Sequence, residues 1–225
     1  MRESISVTLR RLRRDDIDEV VEIEKEAFSP LWVSSFKRDV NNRYASYLVA
    51  FLDEDTAVGE AGGDSANEPV GSALSLWSRL AGRIGLGAAA DRTPSPAPEE
   101  SQLAGYVSVW YQGEEAHITE IAVKETLRGR GVGELLLIGS LKAAIEHGSK
   151  VMTLEARVSN FIAHRLYQKY DFKSVGIRKA YYSDNREDAV IMTTSPIDTP
   201  EYGTLFNTLQ STYQTRWGRM DIEEY

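Results

Sequence analysis

Cysteine is absent from all 225 residues. That excludes a disulfide framework and any thiolate chemistry supplied by the protein. Histidine is scarce, at three residues. His117, His147 and His164 stand at no metal-ligand spacing with each other or with acids. They are assigned no chemistry, and no metal is expected. An excess of positive charge is missing too: the formal net charge is −8. That argues against coating nucleic acid, and no direct nucleic-acid binding is expected. No apolar run reaches membrane-spanning length, and "MRESISVTLRRLRRDD" at the N-terminus lacks the apolar centre of a signal segment. The expectation is a cytoplasmic chain with no transmembrane segment. No internal repeat is visible.

What is present divides the chain by composition. "ISVTLRRL" alternates like a strand, and "DDIDEVVEIEKEAF" carries apolar residues near helical spacing, with Asp15 or Asp16 as its N-cap. "SPLWVSSFKRDVNN" reads as a short second helix and "YASYLVAFLD" as a strand. From Asp53 to Glu100 the chain turns to Gly, Ala, Ser, Pro and acid, ending in "DRTPSPAPEES". Nine acids against three arginines place −6 of the −8 there. Residues 53–101 read as a mobile, low-complexity insertion in a loop. Within it, "VGSALSLWSRLAGRIGL" can form one amphipathic helix that packs on the domain or meets a partner or a membrane surface. "QLAGYVSVWYQ" and "EAHITEIAVKE" then form a hairpin near Gly113, and a leucine-rich helix follows, with Leu135, Leu136, Gly139 and Ala143 on its core face. "VMTLEARV" is a buried strand. "SNFIAHRLYQKY" is a helix capped by Ser159 or Asn160, and a last hairpin turns around "DNRED". The tail from Asp198 is polar with scattered aromatics; it docks as a helix or stays loose. The order β-α-α-β-β-β-α-β-α-β-β implies a mixed α/β sheet covered by helices, not a doubly wound parallel sheet. Residues 1–197 are expected to form one domain around the insertion, with 198–225 as an extension.

The segment "TLRGRGVGELLLIG" joins the second hairpin strand to the leucine-rich helix. A strand that enters a helix through small residues leaves backbone N–H groups unpaired at the helix start, where the dipole is positive. Gly129, Gly131 and Gly133 allow positive φ and close approach to an oxygen. Arg128 and Arg130 add charge suited to phosphate. The natural guest is a pyrophosphate. No Lys-Ser/Thr follows as in a P-loop, and there is no G-x-G-x-x-G dinucleotide fingerprint. Alone, the turn is equally well a glycine turn with no ligand.

Further along stand Asn160, Ala163, Leu166, Tyr167 and Phe172, spaced as N-x-x-A-x-x-L-Y-x-x-x-x-F. Together with Arg128, Gly131 and Gly133 they resemble the GNAT superfamily of N-acetyltransferases. Within it, "IAV", "LEARVSN", "LY", "R-x-x-YY", "REDAVIM" and "SPI" in this order resemble the bacterial ribosomal-protein alanine N-acetyltransferases, as does "IEKEAFSPLWVSSF". The resemblance covers about residues 5–52 and 102–197. One departure is Asp171, where that family usually has glycine; Asp tolerates a helix-ending left-handed conformation better than most residues.

The resemblance implies a three-layer fold with a central, mostly antiparallel seven-stranded sheet. It also implies acetyl-CoA as co-substrate and transfer of its acetyl group to a protein N-terminal amine, in ribosomal proteins an N-terminal Ala or Ser. Direct attack in a ternary complex follows, because no cysteine can carry the acyl group. The alternatives are a lysine side chain or small amine as acceptor, or an acyl-CoA-binding interaction module without activity. By resemblance, Glu155 is the base and Tyr167, twelve positions on, the acid. Glu120, on the neighbouring strand, is a rival base, and Glu155 can instead simply face solvent or pair with Arg157. The backbones of Ile121, Ala122 and Val123 are implied to bind the pantetheine arm. Arg128, Gly129, Arg130, Gly131, Val132 and Gly133 hold the pyrophosphate. Asn160 either caps its helix or, as the family suggests, bonds the pantetheine. Phe28, Leu31, Trp32, Tyr181 and Tyr182 are candidates for the peptide groove, with core packing as their ordinary role.

Overall fold

The computed structural model describes residues 6–28, 42–52, 103–218 and 220–222. The proposed insertion and the proposed second helix, with Leu31 and Trp32, lie outside the described residues.

Among the described residues, eight strands form one mixed sheet in the order β6-β7-β5-β4-β3-β2-β1-β8. They are β1 (Val7–Arg11), β2 (Ala45–Leu52), β3 (Leu103–Gln112), β4 (Glu115–Val123), β5 (Val151–Arg157), β6 (Phe172–Arg178), β7 (Ala189–Thr194) and β8 (Met220–Ile222). The α-helices among the described residues are α1 (Ile17–Ala27), α2 (Val132–His147), α3 (Phe161–Lys169) and α4 (Pro200–Trp217). The α/β class and the mixed sheet agree with the sequence; the strand count of seven does not. The eighth strand comes from the tail, where β8 pairs parallel with β1 from Val7↔Met220 to Leu9↔Ile222. The tail therefore docks both as a helix and as a strand. Among the described residues no helix is long and apolar enough to cross a membrane.

Two apolar layers hold the sheet. On one face α1 inserts Val20 and Ile23 against Tyr47, Val49, Leu103, Tyr106 and Ala122. On the other, α2 buries Leu135, Leu136, Leu137, Ile138 and Leu141, together with Tyr167 of α3 and Tyr202, Phe206 and Tyr213 of α4. Each such leucine contributes about 1.5–3 kcal/mol when fully buried. α2 is apolar almost all round, as a helix enclosed on several sides must be.

Local chemistry sets the element ends. Asp16 precedes α1, but its carboxylate does not cap that helix. It accepts the Arg13 backbone N–H at 2.6 Å and is chelated by Arg10 at 2.7 and 2.8 Å. Asn160 caps α3, its side chain accepting the Ala163 N–H at 3.2 Å. Asp171, which ends the α3 turn, has φ 63, in the left-handed region.

Candidate active site

The sheet opens at its centre. β4 runs parallel to β5 from Glu115↔Val151 to Ile118↔Leu154, and the ladder stops there. Beyond that point β4 continues against β3 as far as Gly105↔Val123, and β5 continues against β7 as far as Arg157↔Ala189. The cause is visible in β4: between Val109↔Ile118 and Ser108↔Glu120 an extra residue, Thr119, forms a bulge. A bulge bends its strand and strengthens its twist. Ile121, Ala122 and Val123 thus line one side of the opening and Glu155, Ala156 and Arg157 the other.

The glycine turn stands beyond the end of β4. Gly129 and Gly131 have φ 77 and 92, in the left-handed region that disfavours side chains. Gly131 is the N-cap of α2, and the helix ladder begins with the Leu135 N–H bonded to the Gly131 carbonyl at 3.0 Å. The N–H groups of Val132, Gly133 and Glu134 belong to the first turn, which has no intrahelical acceptors. Val132 offers only backbone here, since its side chain is buried. Arg128 donates from Nε to the Val123 carbonyl at 3.2 Å, tying the turn to the end of β4, and Arg130 is exposed. A Cβ on Gly131 would lie 2.8 Å from the Trp217 ring. The last residue of α4 therefore packs against the turn, and the Arg216 guanidinium lies 4.8 Å from the centre of that ring.

Glu155 stands on β5, one residue past the last β4–β5 pair. Its side chain is 7% exposed and held by two groups: Oε2 lies 3.0 Å from Nε2 of His117, and Oε1 accepts Arg178 Nε at 2.8 Å. The hydrogen bond from His117, helped by Arg178 and opposed by burial, holds its carboxyl below the ordinary glutamate range. Glu155 is ionised at neutral pH.

The alternative pairing of Glu155 with Arg157 is not made. Arg157 turns to the β6–β7 loop. It bonds Asp184 at 2.8 Å, Asn185 at 3.1 Å and Glu187 at 3.2 Å, and its guanidinium lies 3.9 Å from the Tyr182 ring centre. Glu187 also accepts the Ser159 backbone N–H at 2.9 Å, which ties this loop to the start of α3.

Tyr167 projects from α3 into the core and packs on Phe172, with ring centres 5.8 Å apart. Burial first, and then the neighbouring Tyr182, push its phenol above the ordinary tyrosine range. It holds its proton throughout the neutral range. Tyr181 and Tyr182 meet edge to face, at 5.2 Å between centroids. Burial raises both phenols; the charge of Glu155 adds to it, while Arg178 opposes it at Tyr181 and Arg157 at Tyr182. Tyr181 is 42% exposed. The structure thus gathers Glu155, Tyr181 and Tyr182, with Tyr167 beside Tyr182. Phe28 packs on the α1 layer, whose buried members include Ala122. Glu120 is buried and accepts the Tyr106 hydroxyl at 3.1 Å. Asn160 makes the helix cap, so the capping alternative is the one seen.

Sequence reasoning missed Thr153 and Trp217, gave His117 no role, and met Arg178 only as the first residue of R-x-x-YY. A signal for the first existed. "EAHIT" and "TLEAR" both place polar residues at every second position inside strands, which sets Glu115 and His117 on one face and Thr153 and Glu155 on the facing edge.

Comparison with known proteins agrees with this geometry. The profile of the acetyltransferase (GNAT) family matches residues 76–172. A Bacillus subtilis (strain 168) protein, provisionally named a ribosomal protein bS18 alanine N-acetyltransferase, is 31% identical over 186 residues, covering 82% of this chain and 92% of its own. An N-alpha-acetyltransferase of Sulfolobus acidocaldarius is 46% identical over 77 residues, 34% of this chain and 45% of that one. Among solved structures, the ribosomal-protein-S18-alanine N-acetyltransferase of Escherichia coli superposes with a TM-score of 0.56 at 21% identity, covering 86% of this chain and 96% of that one; at that identity it speaks for the fold. The split sheet, the glycine turn on α2 and this similarity along most of the chain lead to one conclusion: the protein belongs to the GNAT acetyltransferase family and is an N-acetyltransferase.

Proposed function

We infer that the protein transfers the acetyl group of acetyl-CoA to the α-amine at a protein N-terminus, with ribosomal protein N-termini beginning in Ala or Ser as the favoured class. The observation that carries this reading is the opening between β4 and β5, with an ionised Glu155 on its edge and the glycine turn beyond its end. The names of the relatives point to N-terminal acetylation, of ribosomal protein bS18 in one case.

The residues present fit acetyl-CoA. First-turn N–H groups, left-handed glycines and two arginines suit a pyrophosphate. The splayed edge of β4 at Ile121, Ala122 and Val123 suits the amides of a pantetheine arm, as an added strand would. The side-chain NH₂ of Asn160 is a donor beside its cap. Acetyl-CoA supplies an acetyl group activated as a thioester.

The acceptor enters between Tyr181, Tyr182 and Glu155. An α-amine titrates at about 7.7–8.0, whereas a lysine amine does so near 10.4. An ionised carboxylate draws the proton from the first far more readily. Glu155 takes that proton, directly or through one water, and Tyr167 gives its own to the departing sulfur. Burial keeps that phenol protonated at neutral pH, so the proton is there to give. Residues 1–197 form the catalytic domain in this reading, and 198–225 extend it.

The test is a panel of peptides with N-terminal Ala or Ser, peptides with blocked N-termini and internal lysines, and polyamines, each incubated with acetyl-CoA. Thiol release with the first group alone is the expected result. Turnover on lysine or polyamine at equal kcat/KM would replace this reading with the broader one.

A further inference from the structure

An α-ammonium that becomes an amide N–H loses two protons. One ends on the leaving thiol. The other has to leave the site, and Glu155, 7% exposed and held by two partners, is poorly placed to release it directly to water.

A row of side chains leads away from it. Nε2 of His117 lies 3.0 Å from Oε2 of Glu155. Nδ1 of the same ring lies 2.7 Å from Oγ1 of Thr153, and Oγ1 donates to Oε1 of Glu115 at 2.7 Å. The register builds this row: His117 pairs with Thr153 across the parallel β4–β5 ladder, and Glu115 and Glu155 lie two residues away on their own strands. Glu115 is exposed, so the row runs from the closed end of the opening to solvent.

Counting protons fixes the ring's orientation. A hydroxyl has one hydrogen, and Thr153 gives it to Glu115. The contact between Nδ1 and Oγ1 therefore needs its hydrogen on Nδ1. The contact between Nε2 and the carboxylate of Glu155 needs a hydrogen as well, so the ring pairs with Glu155 as an imidazolium. The hydrogen on Nδ1 is the one it can give toward Glu115. The charged groups at this row are Glu115 on its own strand, Glu155 on β5 and Arg178 on β6, which holds the other oxygen of Glu155. On the β3 side His117 stands opposite Trp110.

We propose that His117 is a relay and positioning residue for acetyl transfer: it gives its Nδ1 proton through Thr153 to Glu115 at the surface and takes in exchange the proton that Glu155 draws from the attacking amine. The steps balance. The amine N–H bond breaks and an O–H bond forms on Glu155. Nδ1–H of the charged ring breaks as Thr153 receives a hydrogen and hands its own to Glu115, which releases it to water. The neutral ring then rotates, so that its bare nitrogen faces Glu155 and its N–H faces Thr153. The O–H on Glu155 breaks as an N–H forms on that nitrogen, which restores the carboxylate and the doubly protonated ring. No electron leaves or enters the row.

The proposal rests on the N-acetyltransferase mechanism given above, and the experiment separates the two. Wild type, His117→Ala, Thr153→Val and Glu155→Gln are compared with acetyl-CoA and an N-terminal Ala peptide. His117→Ala is expected to lower kcat by about 10²-fold with KM for acetyl-CoA unchanged, and added imidazole to restore part of the rate. Thr153→Val leaves the ring against Glu155 but cuts the path to Glu115; a loss in kcat of about tenfold is expected, and it keeps the test open if His117→Ala does not fold. A readout without turnover accompanies these: ¹⁵N spectra of the histidine side chains should show His117 protonated at Nδ1 in wild type and lose that signature in Thr153→Val. Unchanged kcat in both His117→Ala and Thr153→Val, with Glu155→Gln inactive, overturns the relay and leaves the acetyltransferase mechanism standing. An unprotonated Nδ1 in wild type also overturns it. Full activity in Glu155→Gln overturns both.

Discussion

The glycine turn before α2 and the polar row across β4 and β5 serve one opening, yet they are built from different material. The turn is backbone. Its geometry needs left-handed φ at Gly129 and Gly131, and its residues are neighbours in sequence. The row is side chains. Glu115, His117, Thr153, Glu155 and Arg178 meet because a parallel ladder and an edge hairpin bring distant segments together. A region made of backbone fails through conformation and should mainly lose binding. A region made of side-chain chemistry fails atom by atom and should mainly lose rate.

The sharpest break between them is Glu155→Gln. It keeps the shape and the Arg178 contact while removing the base. We expect kcat to fall by about 10²–10⁴-fold, with acetyl-CoA affinity by calorimetry changed less than about twofold. A matching loss of affinity would erase the distinction. Tyr167→Phe comes next, with a fall in kcat of about 10²-fold and retained binding, measured in the same assay.

On the turn side, Gly131→Ala should do the reverse. A Cβ there meets both a φ of 92 and the Trp217 ring at 2.8 Å. Left-handed φ alone costs roughly 1–2 kcal/mol. We expect acetyl-CoA binding to weaken by about tenfold or more, and denaturant midpoints to fall. Adding Trp217→Ala should recover the part of the loss due to the ring and leave the part due to φ, which a double-mutant cycle reads directly.

The smallest effect lies at the loop behind the row. Glu187 is lowered from 4.5 to about 2, chiefly by its hydrogen bonds to Ser159. A carboxylate whose folded value is depressed contributes order above its ordinary value. That contribution fades as pH falls through 4.5 toward about 2. Amide exchange at Ser159 should quicken across that window in wild type and be fast throughout in Glu187→Gln. Equal protection in both would remove Glu187 from the account.

The same contrast explains what was legible in the sequence. Backbone demands leave glycines in a contiguous string, so the turn could be read from Arg128 to Gly133. Asp171 could be read in the same way, as a residue able to turn left-handed at a helix end. Glu155 and Tyr167 were reached through the resemblance of one strand–helix unit to the GNAT superfamily. His117 and Thr153 were not read, because their meeting depends on the β4–β5 register, which joins segments far apart in sequence. Arg178 sits on another hairpin and finds Glu155 only across β7. β8 spans Met220–Ile222, too short to leave a period. Trp217 lay among scattered aromatics in a polar tail, and only the docking of α4 gives it a place against Gly131.

The most direct test of the central claim is mass spectrometry of a peptide carrying a free N-terminal alanine and internal lysines, after incubation with acetyl-CoA and either wild type or Glu155→Gln. The account predicts a single acetyl group on the α-nitrogen with wild type and almost none with the variant. Acetyl groups on the lysines in place of the α-nitrogen, or equal labelling by the two proteins, would contradict it.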